Sequence, residues 1–378
     1  MGTTMRIPFV DLKAQYSLIR TEVEEAIQKV LESGQYVMGD NVAEFEHEAA
    51  DYLQAAEAVS VGNGSDALYL SLKAFDIGPG DEVITTPFSF VATGDSILRT
   101  GAVPVFVDID PDSFNLDPQQ IEERITNRTK AILPVHLYGQ CALMDKITEI
   151  ANKHSLIVIE DACQAFGSGF SGQKAGTWGH AGCFSFFPTK NLGAFGDGGM
   201  ITCSNRDLAK KIRLLREHGS ESRYHHTMLG INSRLDEIQA AVLRIKLRYI
   251  DAWNRKRREI AAQYSSLLQG LPLVLPQTKP AADHIYHLFT VRTSDSRERT
   301  ELITFLGQNG IQVSVHYPKP IYLQPSYQQL GYKQGLCPVA EQLSQQVLCL
   351  PLYPEMAGKA VLHVARSVIA FYKGGGDS

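Results

Sequence analysis

The sequence predicts an α/β protein with a large domain, residues 1–250, and a smaller C-terminal α+β domain, residues 251–378. Two observations predict this fold class. From about residue 58 onward, short β-rich runs alternate with helical stretches, as they do in a mostly parallel sheet covered by helices. After the segment WNRKRREI the chain becomes richer in proline and contains two more β-rich runs, HLFTVRT and IQVSVHYP, which indicate a second, smaller unit.

The predicted elements begin with an amphipathic helix. Apolar side chains recur at helical spacing over residues 19–31, and we expect the helix to end at Gly34, because glycine best tolerates a left-handed exit. The strands of the large domain then follow as AVSV, EVITT, VPVFVD, KAILPVH, LIVIE and CFSF. We expect a helix capped near Asp117 after the third strand, and two helices around residues 206–217 and 233–250.

Composition and charge exclude several partner classes. The chain of 378 residues has 36 Lys and Arg against 41 Asp and Glu, a formal charge of −5, so no overall positive field attracts nucleic acid or anionic lipid. No uncharged apolar run approaches the roughly 18 residues that a membrane span needs. The six cysteines are scattered without zinc-site spacing, and the N-terminus lacks a signal-peptide pattern. We expect a cytoplasmic protein with reduced thiols and no metal site.

Two segments suggest cofactor chemistry. In CFSFFPTKNLGAFGDGGM, Lys190 leaves a strand and enters a glycine-rich loop. A lone lysine in such a loop is usually just solvated. About 30 residues earlier, however, the apolar strand of IVIEDACQ ends in Glu160 and Asp161, where open α/β sheets place ligand-binding groups. Pyridoxal 5'-phosphate (PLP) needs a lysine amine and a carboxylate beside its pyridine nitrogen, and Lys190 and Asp161 would supply both.

A phosphate site is predicted in AVSVGNGSDALYL, where a strand leads through small residues into a helix with free backbone N–H groups. As a dinucleotide fingerprint the segment fails, because Gly62 and Gly64 are followed by Ala67 in place of the third glycine. In TTPFSFVAT, Phe88 or Phe90 could cover the face of a flat cofactor. Packing in the core is the equally good alternative for both rings.

The motifs in order are GNGSDAL, PFSFVAT, PVFVDID, PVHLYGQ, IEDACQAFGS, CFSFFPTKNLGAFGDGG and GINSRLDEIQAAVL. Together they resemble the DegT/DnrJ/EryC1/StrS family of sugar aminotransferases, and the likeness extends from about Ile7 to about Ile369. The resemblance implies a fold type I PLP enzyme of the aspartate aminotransferase kind and a homodimer with shared active sites. It also implies transfer of an amino group from L-glutamate, which leaves as 2-oxoglutarate, to a nucleotide-linked keto sugar, with pyridoxamine 5'-phosphate (PMP) as the intermediate cofactor form.

The resemblance also assigns roles to individual residues. Lys190 matches the lysine that forms the Schiff base, and Asp161 matches the partner of the pyridine nitrogen. Gln164 matches the residue near the cofactor's 3-oxygen, and Phe90 matches the ring that stacks on its face. Asn232 matches an asparagine that reaches the phosphate from the neighbouring subunit. The other phosphate contacts are expected from Gly64, Ser65 and Ser185.

At the substrate end of the site, the sequence departs from the family pattern at two positions. Phe187 stands where many relatives have tyrosine, and Tyr322 stands where histidine is frequent, so contacts to the sugar or its diphosphate are expected to differ. Five residues are candidate substrate contacts: Tyr224, His225, His316, Tyr317 and Tyr322.

The resemblance is greatest to members that act on 3-keto sugars, through IPFVDLKAQY, PVHLYGQ and NSRLDEIQAAVLRIKL. A dTDP-linked 3-keto-6-deoxyhexose is therefore the expected substrate, and a 4-keto-6-deoxyhexose is the alternative. Related PLP- or PMP-dependent sugar dehydratases typically have histidine in place of the Schiff-base lysine, whereas this chain has Lys190. A regulatory protein without activity is disfavoured by Lys190, Asp161 and Gln164 together, and a nicotinamide dehydrogenase is disfavoured by the failed fingerprint.

Overall fold

The computed structural model describes residues 5–374, which form eleven α-helices and fourteen strands. The helices are α1 (Leu12–Ser33), α2 (Asp40–Leu53), α3 (Gly64–Ala74), α4 (Ala92–Thr100), α5 (Met144–His154), α6 (Arg206–Leu215), α7 (Glu237–Leu247), α8 (Ile250–Leu268), α9 (Ser296–Gln308), α10 (Pro338–Gln346) and α11 (Gly358–Tyr372). The strands are β1 (Glu57–Val61), β2 (Glu82–Thr85), β3 (Val103–Phe106), β4 (Thr129–Leu133), β5 (Ile157–Asp161), β6 (Gly169–Phe170), β7 (Gln173–Lys174), β8 (Ala181–Ser185), β9 (Gly199–Cys203), β10 (Ser220–Ser222), β11 (His225–His226), β12 (Ala282–Asp283), β13 (Phe289–Arg292) and β14 (Val347–Leu350).

A seven-stranded sheet organises the chain up to β9, in the order β1-β9-β8-β5-β4-β2-β3. Strands β8, β5, β4, β2 and β3 run parallel to one another, and β9 runs antiparallel to both β8 and β1. Buried apolar side chains pack on both faces of the sheet. The predicted α/β class with a mostly parallel mixed sheet is confirmed.

Local signals explain where key helices begin and end. Helix α1 ends at Gly34, which has the left-handed φ of +68°, as predicted. Asn63 follows β1, and its side chain accepts a hydrogen bond from the backbone N–H of Asp66 at 2.8 Å. This cap starts α3 directly at the carboxyl end of β1.

Three predicted elements differ from the structure. The helix expected over residues 233–250 starts only at Glu237, because the side chain of Asp236 caps it by accepting from the backbone N–H of Gln239. It also ends at Leu247, since the next backbone N–H groups bond three residues back instead of four, and α8 then begins. Asp117 does cap a helix, but only the 3-10 turn Pro118–Gln120.

The run IQVSVHYP, predicted as a strand, makes only isolated bridges at Ile311 and Ser314. Pairing stops there because the carbonyl of His316 accepts a hydrogen bond from the hydroxyl of Tyr138 instead of from a strand. The run HLFTVRT forms β13 as predicted, and it pairs with β14.

The C-terminal part of the chain has its own apolar core, built from α8, α9, α11, β13 and β14. Ile7 packs into this core and pairs with Ile311, so the start of the described chain contacts the C-terminal part. Among residues 5–374, no helix combines the length and the apolar character that crossing a membrane requires.

Candidate active site

A cavity of about 1070 Å³ opens at the carboxyl ends of the parallel strands. Asp161 ends β5, Ser185 ends β8, and α3 starts just after β1, so the topology brings these distant segments together. The cavity is lined by nine of the predicted site residues: Gly64, Ser65, Phe90, Asp161, Gln164, Ser185, Lys190, His316 and Tyr317.

The two neighbouring carboxylates of β5 point to opposite faces of the sheet. Asp161 lines the cavity and is only 5% exposed. Its Oδ2 accepts a hydrogen bond from Thr93 Oγ1 at 2.8 Å, and its Oδ1 accepts one from the backbone N–H of Cys163 at 3.3 Å. These two donors hold the carboxylate in a fixed orientation at the floor of the cavity.

Glu160 is fully buried on the other face. Its Oε1 accepts the backbone N–H groups of Trp178 and Gly179, both at 2.7 Å. Its Oε2 accepts the backbone N–H of Gly176 and lies 2.8 Å from His136 Nε2. Glu160 therefore stabilises the turn at residues 176–179, whereas Asp161 is available to a ligand in the cavity.

Lys190 lies in the glycine-rich loop after β8, and its backbone N–H donates to the carbonyl of Phe187 at 2.8 Å. Burial lowers the pKa of the Lys190 amine, and the nearby Cys163 and Asp161 partly oppose this shift. A lower pKa increases the neutral fraction of the amine near pH 7. A neutral amine is what nucleophilic attack on a carbonyl requires.

Gln164 has a defined orientation. Its Oε1 accepts the backbone N–H of Tyr138 at 2.8 Å, so its Nε2 is the donor, and it reaches the hydroxyl of Tyr317 at 3.1 Å. Gln164 therefore presents an N–H donor to the cavity, suitable for a phenolate-like oxygen.

The start of α3 forms a cradle for an anion. The first backbone N–H groups of a helix have no partner within it, and here they belong to Gly64 and Ser65 at the cavity wall. A Cβ on Gly64 would lie 2.7 Å from Ser185 Cβ and 3.0 Å from Cys163 Sγ, so only glycine permits this close approach. An amine, a fixed carboxylate and this cradle in one cavity match the aldehyde, pyridine nitrogen and phosphate of PLP.

The structure separates the two candidate stacking rings. Phe88 is fully buried in a core cluster, whereas Phe90 is 58% exposed and lines the cavity. The ring of Phe90 lies 6.4 Å from that of Tyr317. Phe187 is half exposed and lines the same cavity.

Three predicted residues are exposed and are not among the residues that line the cavity: Tyr224, His225 and Asn232. Tyr224 is 83% exposed at the turn between β10 and β11. Ser233, next to Asn232, anchors the segment, because its Oγ accepts the backbone N–H of Gly62 at 2.9 Å and donates to Asp66 at 2.8 Å. Within one chain these three side chains do not reach the site.

The structure does not bring Tyr322 to the cavity. The residue is 1% exposed, and its hydroxyl donates to Glu341 and accepts the backbone N–H of Cys337 at 3.1 Å. The ring packs against Phe106 in a core cluster. Because both the ring and the hydroxyl are occupied, the expected substrate contact of Tyr322 is not found here.

Thr93 was not identified from the sequence, although it lies within the segment TTPFSFVAT. Its hydroxyl reaches Asp161, 68 residues away along the chain, and also lies 2.9 Å from Ser89 Oγ. Its place in the first turn of α4 was the available signal, because that turn faces the carboxyl ends of the strands.

Comparison with known proteins identifies the family of the chain. The model of the DegT/DnrJ/EryC1/StrS aminotransferase family matches residues 17–369. The pleiotropic regulatory protein of Geobacillus stearothermophilus is 46% identical over 98% of this chain and 99% of its own length. The dTDP-3-amino-3,4,6-trideoxy-alpha-D-glucose transaminase of Streptomyces venezuelae is 46% identical over 97% of this chain and 96% of its own length.

A solved structure shares the whole fold. The crystal structure of S. venezuelae DesV in complex with a ketimine intermediate has a TM-score of 0.95 and 45% identity, and covers 98% of this chain and 99% of that chain. Further structural neighbours were solved with PMP or in a PLP form. From the family match and these identities, the chain belongs to the DegT/DnrJ/EryC1/StrS family of PLP-dependent aminotransferases.

Proposed function

We propose that the protein moves the amino group of L-glutamate to C3 of a dTDP-linked 3-keto-6-deoxyhexose and releases 2-oxoglutarate. The observation that carries the reaction type is the placement of Lys190 and Asp161 in one cavity with the start of α3. The volume of this cavity, about 1070 Å³, is at the upper end of the volumes of small-molecule sites and is enough for PLP and part of a nucleotide sugar.

Each residue has a defined task in this proposal. Asp161, held by Thr93, stays oriented toward the pyridine nitrogen, and the start of α3 binds the phosphate. When bound, PLP supplies the electron sink that stabilises negative charge beside the reacting nitrogen. Lys190 Nζ holds PLP at rest, then takes the proton from the α-carbon of glutamate and later delivers a proton to the sugar carbon that is aminated.

Support for the sugar comes from the relatives. The S. venezuelae transaminase that is 46% identical is named for a dTDP sugar aminated at C3. The alternative is amination of a 4-keto-6-deoxyhexose by the same residues. A sugar dehydratase is disfavoured by the presence of Lys190, and a silent regulator is disfavoured because the amine, the carboxylate and the phosphate cradle all line one cavity.

The test is a substrate screen with the purified protein, PLP and glutamate. We expect dTDP-3-keto-6-deoxyglucose to give a 3-amino sugar, located by NMR, with one 2-oxoglutarate released for each amine formed. Parallel reactions contain the dTDP-4-keto-6-deoxy, UDP and GDP keto sugars. Turnover of the 4-keto sugar alone would replace the proposed substrate by the alternative, and no turnover of any keto sugar would contradict an aminotransferase acting on sugars.

We also propose that the protein acts as a homodimer in which Asn232 reaches the phosphate of the neighbouring subunit. Asn232 supports this, because it is exposed, does not line the cavity of its own chain, and stands next to the anchored Ser233 in the chain. Mixing Asn232→Ala and Lys190→Ala chains should restore part of the activity through hybrid dimers. No recovery after proven subunit exchange would contradict a shared site.

We place the protein in the cytoplasm. All six cysteines are free thiols, and five of them are buried. Such thiols suit a reducing compartment. Immunodetection of the protein in cell fractions tests this placement, and recovery outside the cytoplasmic fraction would contradict it.

A further inference from the structure

A second cavity of about 200 Å³ adjoins the active-site cavity. We call it the annex. The two cavities share four lining residues: Thr189, His287, Leu288 and His316. Arg257 of α8 lines the annex but not the larger cavity. The annex therefore extends the active site behind the loop that carries Lys190, toward a buried guanidinium.

Arg257 is an incompletely compensated cation. It is 4% exposed, and its Nη1 donates to the backbone carbonyls of Tyr286, His287 and Leu352 at 3.0 to 3.4 Å. Its buried Nε has no hydrogen-bond partner among the described residues. Burial lowers the pKa of Arg257 to about 10, which the charge of Glu355 partly opposes, so the group remains protonated at neutral pH. Its charge is thus offset by carbonyl acceptors and by Glu355, which is not among its hydrogen-bond partners in the described part of the chain.

His287 connects the guanidinium to the loop that carries Lys190. Asn191, the residue after Lys190, has its Oδ1 3.0 Å from Nδ1 of His287, and the carbonyl of His287 accepts from Arg257. The charges of Lys190 and Arg257 both act on His287, whose pKa burial already holds far below its usual value. His316, between the two cavities, has a buried Nδ1 without a partner among residues 5–374.

We propose that the annex binds a carboxylate of the amino donor, with Arg257 as its counter-charge and His316 as a neutral hydrogen-bonding neighbour. This inference rests on the proposed function, because it concerns the donor of that reaction. A carboxylate in the annex would place a second anion beside the Arg257 guanidinium, whose charge Glu355 offsets only in part. Burial lowers the pKa of His316 to about 4, so its ring is neutral near pH 7 and adds no second charge.

The size of the annex explains how one site accepts two very different substrates. About 200 Å³ is less than the roughly 300–1,000 Å³ of sites that take drug-sized ligands, so it excludes a nucleotide-linked sugar but has room for the end of an amino acid. The donor would use the annex in the first half-reaction. The nucleotide sugar would use only the larger cavity in the second.

The test compares Arg257→Met and Arg257→Gln with the wild-type protein, all loaded with PLP. Isothermal titration calorimetry with glutarate, a dicarboxylate without an amine, measures binding independently of turnover. For Arg257→Met we expect the Kd for glutarate and the KM for glutamate to rise by about tenfold or more. Protein loaded with PMP skips the donor step, and it should aminate the keto sugar within about threefold of the wild-type rate.

L-Glutamine distinguishes the two carboxylates of the donor. If Arg257 binds the γ-carboxylate, Arg257→Met removes the preference for glutamate over glutamine. If it binds the α-carboxylate, both donors lose equally. Either result supports the annex as a carboxylate site.

An unchanged Kd for glutarate and an unchanged KM for glutamate in folded Arg257→Met would overturn the proposal. If Arg257→Met does not fold, Arg257→Gln, which also removes the charge, decides in the same way: weaker glutarate binding with a normal PMP reaction supports the annex, and unchanged binding overturns it. Failure of the wild-type protein to aminate any keto sugar while still binding glutarate through Arg257 would instead contradict the proposed function.

Discussion

Replacement of Glu160 by glutamine should destabilise the protein strongly, although the side chains are almost the same size. Both carboxylate oxygens of Glu160 face two donors each. The backbone N–H of Ala142 donates to Nδ1 of His136 at 3.1 Å, so Nε2 of that ring carries its hydrogen toward Glu160. An amide NH2 in place of either oxygen therefore meets two donors and leaves them without an acceptor.

The magnitude follows from the number of donors lost. A buried donor without a partner costs about 1–3 kcal/mol, so two of them make the free energy of unfolding about 2–6 kcal/mol smaller in Glu160→Gln. Urea unfolding followed by tryptophan fluorescence measures this change, because the backbone of Trp178 is one of the partners. Asp161→Asn is the matched control on the same strand. A loss below about 0.5 kcal/mol in Glu160→Gln would refute the assigned structural role.

Three further outcomes are expected. Asp161→Asn should lower the release of 2-oxoglutarate from glutamate by about 100-fold or more while it retains the fold, and a near-normal rate would exclude its role. Gly64→Ala places a Cβ 2.7 Å from Ser185 Cβ and should weaken PLP binding about tenfold in an absorbance titration. Gly78→Ala, whose Cβ meets nothing closer than 3.6 Å, should not. Burial lowers the pKa of His284 to about 3. In the unfolded chain the imidazole of His284 takes up a proton below about pH 6.5, whereas in the folded protein it does so only near pH 3. The free energy of unfolding therefore falls on acidification. His284→Asn should remove about 2 kcal/mol of this fall between pH 7 and pH 5.

The sheet and the central pair of residues could be predicted because their signals are local. Each parallel strand is a short β-rich run bounded by turn residues, and six of the seven strands were identified in this way. Strand β9 was missed because it directly follows the glycine-rich loop. Asp161 ends one recognisable strand, Lys190 lies in the loop that follows another, and parallel strands bring their carboxyl ends to one edge.

The parts that could not be predicted depend on contacts between distant segments. The place of Thr93 at the start of α4 puts it near the strand ends, but nothing in the sequence around it specifies Asp161 as its partner. Nothing near Arg257 shows that it lines a cavity beside Thr189. Tyr322 is the converse case. Its position in a family pattern predicted a contact with the substrate. In the structure its hydroxyl instead bonds to Glu341 and to the backbone at the start of α10.

The most direct measurement of the central claim is a crystal structure of the protein grown with PLP. We expect a covalent bond between Lys190 Nζ and the former aldehyde carbon, a carboxylate oxygen of Asp161 within about 3 Å of the pyridine nitrogen, and the phosphate at the start of α3. PLP bound away from Lys190, or with its pyridine nitrogen facing a group other than Asp161, would contradict the account.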